Sequence, residues 1–221
     1  MSYKAVIFDL DGLLIDSETL YHKVSYAMTA ELGKTLTGAT IAKQMGRSPL
    51  ESLEVYRRDL GIEHLTAQEL VDMRHERMVK EFRENLEPMP GAMEIIRGLH
   101  GRIRLAISTG SPRELMEIAT ARLGLEKYFE YVQTSDDLLL GKPDPEIYNL
   151  TIKALHLNPE ECIVLEDSSN GVLSGHRAGC FVIAVPNEHT YKQDFSSADA
   201  KVDNLTEAGE IIKRIAPFGR E

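Results

Sequence analysis

The chain has 221 residues, of which 43% are hydrophobic and 27% charged, with a formal net charge of −10. That length holds one large domain or a core with a small second domain, and the composition is that of a folded globular protein. The negative balance argues against wrapping a nucleic-acid backbone or an anionic membrane, yet leaves room for a small anionic substrate at a local site. Cys162 and Cys180 each sit in an apolar run. Their spacing suits neither zinc nor a disulfide framework, so both are expected as buried free thiols in a reducing compartment. Asp9 and Asp11 interrupt the first apolar run and no stretch has the length of a membrane span. Neither a signal peptide nor a membrane anchor is therefore expected, and the cytoplasm is the expected location.

In chain order, the first element is Ala5-Val6-Ile7-Phe8, a short β-forming run that ends in Asp9-Leu10-Asp11-Gly12. It reads as a buried strand delivering two carboxylates to the rim of a sheet, where open α/β folds bind ligands. Two unit charges about 4 Å apart repel by roughly 4 kcal/mol at an effective dielectric of about 20. A shared proton, a cation or open water must compensate. From about Ser17 to Leu86 no strand is evident, and amphipathic helical patterns cover Leu20–Leu32, Pro49–Leu60 and Thr66–Phe82. This stretch is expected to form a small helical domain over residues 17–87, inserted into a core of residues 1–16 and 88–221. The turn chemistry of Glu87-Pro88-Met89-Pro90-Gly91 marks the return.

Strand-like runs then recur at Arg104–Ser108, more weakly near Tyr131–Thr134, and at Cys162–Glu166 and Cys180–Val185, with helical patterns between them. Strands alternating with helices give an α/β fold with a Rossmann-like parallel sheet and an inserted small α-helical cap domain.

Three further strand ends carry chemistry. Ser108-Thr109-Gly110-Ser111 brings hydroxyls and a glycine to the start of a helix, where backbone N–H groups favour an anion. Ser111 and Glu114 fit a capping box with Pro112 at the first helical position. In Gly141-Lys142-Pro143-Asp144-Pro145, Asp144 and Pro145 suit the start of a helix, and Lys142 could neutralise a phosphate and neighbouring carboxylates. Glu166-Asp167 ends the Cys162–Glu166 run and can approach Asp9 and Asp11 if the strands are neighbours. Carboxylates gathered at one rim without a His or Cys pair fit Mg²⁺, although each acid beside a helix start could instead serve as a cap.

Asp9-Leu10-Asp11-Gly12, Ser108-Thr109, Gly141-Lys142-Pro143 and Glu166-Asp167 with Asn170-Gly171 together resemble the signature of the haloacid dehalogenase superfamily of phosphohydrolases. The helical insertion resembles the cap of its β-phosphoglucomutase-like branch. The wording around Phe8–Glu18, Met45-Gly46-Arg47 and Met89-Pro90-Gly91 is most similar to pseudouridine monophosphate and 2-deoxyglucose 6-phosphate phosphatases. The resemblance implies Asp9 as nucleophile and Asp11 as general acid and base. It implies Thr109, Gly110 and Lys142 around the phosphate, and Mg²⁺ on Asp9, Asp11 (through its carbonyl) and Asp167, with Glu166 a further ligand or an outer partner. Leaving-group contacts are sought at Glu18, Tyr21, His22, Arg47 and Ser48. The implied substrate is a small phosphorylated metabolite, of sugar or nucleoside monophosphate type. No oligomeric state is implied, and a monomer is compatible.

Asp11 argues against a dehalogenase, which has no need of a second aspartate. A transport ATPase would need membrane spans, and a phosphonate hydrolase a cap lysine in a context that Lys23, Lys34 and Lys43 do not supply. The enzymatic alternative is a β-phosphoglucomutase-type phosphosugar mutase. Its early cap histidine aligns with Tyr21, one residue before His22, and Arg47 stands nearer its glycine than in the mutase. A non-catalytic phosphate-binding regulatory module on the same fold is the alternative of another class.

Overall fold

The computed structural model describes residues 2–44 and 48–216. The chain divides into two compact units, Met1–Asp16 with Glu87–Glu221 and Ser17–Leu86. Glu87 belongs with the first, its carbonyl accepting from Asp16 N at 3.0 Å.

The first unit is built on a six-stranded sheet of order β3-β2-β1-β4-β5-β6. The strands are β1 (Ala5–Phe8), β2 (Arg104–Ser108), β3 (Tyr131–Gln133), β4 (Cys162–Glu166), β5 (Phe181–Ala184) and β6 (Ala200–Lys201). Every pairing is parallel. The fold is the α/β class with a parallel Rossmann-like sheet. In β1, Ala5 and Ile7 join one core cluster with Ala106, Ile147, Tyr148, Cys162, Val164, Val172, Cys180 and Val182. The alternate residues Val6 and Phe8 face the other way and are equally buried. Burial on both faces explains why these strands read as unbroken apolar runs instead of alternating ones. The two thiols sit side by side at the starts of β4 and β5, free and buried.

Four helices of this unit follow the connections: α5 (Ala92–Leu99), α6 (Arg113–Leu123), α7 (Glu146–Ala154) and α8 (Ser169–Arg177), with α9 (Leu205–Ile215) closing the chain. α8 packs on β4 and β5, and α7 on β2 and β3. The two-residue β6 is too short to show in a sequence pattern. Among the described residues no helix is long and apolar enough to cross a membrane.

The second unit holds α1 (Ser17–Glu31), α2 (Gly38–Gln44), α3 (Pro49–Asp59) and α4 (Ala67–Asn85). α3 and α4 start in capping boxes, Ser48 with Glu51 and Thr66 with Glu69, each satisfying helix-end donors reciprocally. Inside, the Thr29 hydroxyl meets the Tyr56 hydroxyl at 2.7 Å. Helix α2 was not legible in the sequence: it is seven residues long and buries only Thr40.

Candidate active site

Strand register assembles the site. Phe8 is level with Ile107 of β2 and Leu165 of β4, so Asp9, Ser108 and Glu166 follow at one edge of the sheet. Asp9 N still donates to Leu165 O at 3.0 Å, which fixes the acid to the end of the strand. Beyond it the chain turns at once: Leu14 N and Ile15 N both return to Leu10 O, and Gly12 N donates to Ile15 O. Gly12 adopts φ +75°, and a Cβ there would stand 2.6 Å from Asp167 Oδ2. Glycine therefore supplies both the left-handed turn and the room for the aspartate of the neighbouring strand.

Lys142 reaches into this edge from the loop before α7. Its ammonium lies 2.5 Å from Asp9 Oδ1, 2.5 Å from Glu166 Oε1 and 3.2 Å from the Ser108 carbonyl. It also sits over the Tyr148 ring, 5.2 Å from its centroid. The loop is tied down by Ser174 Oγ donating to the Asp144 carbonyl and Arg177 to that of Pro143, and its Lys142–Pro143 peptide is cis. Burial opposes the charge on Lys142, but Asp9 and Glu166 hold its pKa well above the ordinary lysine value. Burial pushes the Asp9 carboxyl well above the usual carboxylate range; Lys142 pulls it down, while Glu166 and Asp11 push it further up.

Both oxygens of Glu166 are engaged. Oε1 accepts from Lys142 and from the Tyr148 hydroxyl at 2.7 Å, and Oε2 accepts from Ser168. Gly171 makes this packing possible, since a Cβ on it would lie 1.9 Å from the Glu166 carboxyl carbon.

Asp11 has different partners. Its Oδ2 accepts from the Thr109 hydroxyl and the Ser111 hydroxyl, each at 2.8 Å. Its Oδ1 is buried with no hydrogen-bond partner among the described residues. Ser111 N in turn donates to Thr109 Oγ1 at 2.9 Å, so the two hydroxyls form one unit.

Asp9, Glu166 and Asp167 each offer a carboxylate oxygen within 4.8 Å of one another. Three buried carboxylates against one ammonium leave an excess of negative charge, and the donors are all oxygen. That set fits a hard divalent cation such as Mg²⁺.

The family model for haloacid dehalogenase-like hydrolases matches residues 3–179. The chain belongs to this family. This hydrolase is 36% identical over 210 residues to the phosphorylated carbohydrates phosphatase of Thermotoga maritima, covering 94% of this chain and 92% of the relative. It is 30% identical over 215 residues to validoxylamine A 7'-phosphate phosphatase of Streptomyces hygroscopicus subsp. limoneus, covering 93% and 95%. Among solved structures, that of CbbY from Rhodobacter sphaeroides in complex with phosphate superposes with a TM-score of 0.83 at 26% identity, covering 94% and 98%.

The structure of the hydrolase thus brings Asp9, Asp11, Thr109, Lys142, Glu166 and Asp167 to one edge, with Gly110 in the turn leading to α6. Glu18, Tyr21 and His22 share one face of α1 in the helical unit, where Arg74 of α4 stacks 5.7 Å from the Tyr21 ring centroid. Arg47 lies outside the described residues. Ser48 uses its side chain to cap α3.

One expectation is corrected. Helix α6 begins at Arg113 with Pro112 as its cap and has no side-chain cap bond. Ser111 does not form the box with Glu114: the helix starts one residue later, Ser111 N donates to Thr109 Oγ1 instead of to Glu114, and the Ser111 hydroxyl is turned to donate to the Asp11 carboxylate. Asp144 accepts from Glu146 N at 3.0 Å at the start of α7. Sequence reasoning missed Tyr148 and Asn187. Tyr148 lies in a helical pattern and reads as core. Asn187 follows β5 in a segment with turn chemistry, and its amide reaches Asp167 Oδ2 at 2.8 Å. Its place just past a strand end was the available signal.

Proposed function

We propose that this hydrolase is a Mg²⁺-dependent phosphatase of a small phosphorylated metabolite, a sugar phosphate or nucleoside monophosphate, working through an aspartyl-phosphate on Asp9. The observation that carries the reading is the division of partners between two acids two residues apart. Asp9 is held by a lysine, and Asp11 by two hydroxyls. The names of the relatives, a phosphatase of phosphorylated carbohydrates and one of validoxylamine A 7'-phosphate, support a small phosphorylated metabolite as substrate.

The chemistry proceeds in two displacements. An Asp9 carboxylate oxygen attacks phosphorus, the bond to the leaving oxygen breaks, and Asp11 gives that oxygen a proton. Water then attacks the phosphorus of the aspartyl-phosphate, Asp11 takes its proton, and the bond to Asp9 breaks to release phosphate. Lys142 and the Gly110 turn hold the phosphoryl oxygens, joined by the Thr109 hydroxyl when it turns its one proton from Asp11 to the bound phosphate, for phosphoryl transfer depends mostly on positioning and charge stabilisation. Glu166 keeps Lys142 aimed at Asp9; with both oxygens already bonded, it acts as the outer partner of the site. Asp9, the Asp11 carbonyl and Asp167 would hold Mg²⁺, which supplies positive charge against the phosphoryl oxygens.

The test is release of phosphate from p-nitrophenyl phosphate and from a panel of phosphorylated metabolites with Mg²⁺, alongside Asp9→Asn. Turnover lost in Asp9→Asn with the chain still cooperatively folded, at a lower unfolding temperature because Lys142 loses a carboxylate partner, is the expected result. Full activity of that variant would exclude Asp9 as nucleophile. Interconversion of hexose phosphates without phosphate release would replace hydrolysis with a mutase reaction, and no reaction across the panel would leave a binding module.

A further inference from the structure

The segment after β5 turns back over the carboxylate edge through a side chain with no place in the reaction described above. Asn187 Nδ2 donates to Asp167 Oδ2 at 2.8 Å and to the Gly12 carbonyl at 3.0 Å. The orientation of this amide is determined by its other end. Asn187 Oδ1 accepts from His189 N at 2.8 Å and Thr190 N at 3.2 Å, an arrangement only the carbonyl oxygen can satisfy. The backbone repeats the closure: Asn187 N donates to Thr190 Oγ1 at 3.0 Å, and Tyr191 N returns to Asn187 O at 2.9 Å. Asparagine is suited to such a turn, because its side chain bonds to backbone two residues on. A second tie, Gln193 Oε1 accepting from Ser169 N at 2.7 Å, holds the same segment on the start of α8 without touching Asp167.

One NH₂ group therefore joins the loop that carries Asp9 and Asp11 to the carboxylate delivered by β4. The fit is close, since a Cβ on Gly12 would lie 2.9 Å from Asn187 Nδ2 as well as 2.6 Å from Asp167 Oδ2. We propose that Asn187 is a positioning residue of the cation site, fixing Asp167 against the Gly12 turn so that the oxygen donors of two strands are set before a divalent cation arrives. The inference rests on Asp167 being a cation ligand. Groups that orient a metal-ligating carboxylate typically contribute 10–100-fold to metal affinity.

The test is Mg²⁺ binding to the whole protein, read by calorimetric titration and by the Mg²⁺-dependent rise in unfolding temperature, with no substrate present. Asn187→Ala should raise the half-saturating Mg²⁺ concentration about 10-fold or more, while Gln193→Ala should keep the wild-type value. Equal Mg²⁺ affinity in Asn187→Ala and wild type would overturn the proposal, as would an equal loss in both variants, which would reduce Asn187 to a support of the loop. Should Asn187→Ala not fold, Asn187→Ser, which keeps a polar group at the turn but cannot span to Asp167, serves the same comparison. Asp167→Asn separates the two levels. If it also binds Mg²⁺ like wild type, the cation-site reading falls and this inference with it; if it alone loses Mg²⁺, only the role of Asn187 falls.

Discussion

The ammonium of Lys142 stands 2.5 Å from Oδ1 of Asp9, a partner 133 residues away in the sequence. The contact is buried, with the two side chains 13% and 8% exposed, so it is screened little by solvent. Removing one member of such a pair leaves an uncompensated charge and typically costs about 3–5 kcal/mol. Lys142→Met is expected to lower kcat by about 10²–10³-fold, the loss typical of one preorganised stabiliser, and to lower the urea midpoint in buffer free of divalent ions. Tyr148→Phe removes only the hydroxyl on Glu166 and should cost about 1.5–3 kcal/mol, the usual worth of a hydrogen bond to a charged group. Unchanged kcat in Lys142→Met would remove the lysine from the phosphoryl site.

Asp11 invites a test of its role by leaving group. A general acid contributes about 10²–10⁴-fold where the departing oxygen needs a proton. An aryl oxide such as p-nitrophenolate departs without one, and an alkoxide does not. For Asp11→Asn, kcat/KM should fall far more with an alkyl phosphate than with p-nitrophenyl phosphate. Ser111→Ala removes one of the two hydroxyls on the same oxygen. It should show the same selectivity at about one-tenth of wild-type kcat/KM for the alkyl ester, in keeping with one hydrogen bond to a carboxylate. Equal losses with both substrates would show that Asp11 is not the acid.

How far the site could be read in the sequence follows from how each residue is placed. Asp9, Thr109, Glu166 and Asp167 stand at the ends of apolar runs. Because parallel strands of this sheet end at one edge, strand ends were enough to bring them together. Lys142 came from its setting between a glycine and a proline. Partners of those residues were hidden for the opposite reason. Tyr148 occupies a buried position of an amphipathic helix, where a hydroxyl is indistinguishable from core until Glu166 is found opposite it. Ser111 carried a sound capping pattern, and only the fold shows that its hydroxyl donates to an Asp11 carboxylate 100 residues away. The place of Asn187 just past a strand end marks the right edge of the sheet, but its contact with the Gly12 carbonyl spans 175 residues, and the strand-end position does not name that partner.

Gly171 tests whether Glu166 is truly locked. A methyl group there meets the Glu166 carboxyl at 1.9 Å, and that carboxyl has four donors around it, so it cannot move aside without leaving Lys142 and Tyr148. Overpacking of this kind costs typically about 1–3 kcal/mol. Gly171→Ala should lose at least that much stability by urea unfolding and lose activity with it. Glu166→Gln combined with Gly171→Ala should lose less than the sum of the two, since both act through one carboxyl. Strict additivity would show that the clash is relieved elsewhere.

The paired thiols predict a pH dependence on the alkaline side. Burial, aided by Glu161, pushes the Cys162 thiol from its ordinary 9.0 up to about 12, and burial with Cys162 beside it raises Cys180 as well. Below pH 9 both thiols are protonated in the folded and the unfolded chain, and their protonation favours neither state. Above pH 9 the unfolded chain releases these protons while the folded chain retains them. The unfolded state then binds fewer protons, so stability falls as pH rises toward the folded value. The slope is at most about 1.4 kcal/mol per pH unit for each thiol. Lysines and tyrosines titrate in the same window, so the measurement is a difference: urea unfolding of wild type and of Cys162→Ala/Cys180→Ala at pH 8, 9, 10 and 10.5. The double variant should start less stable, because it loses buried volume at β4 and β5, and should then lose stability less steeply above pH 9. Parallel curves would mean that the thiols ionise in the folded chain as readily as in the unfolded one, which the closed packing around both sulfurs does not allow.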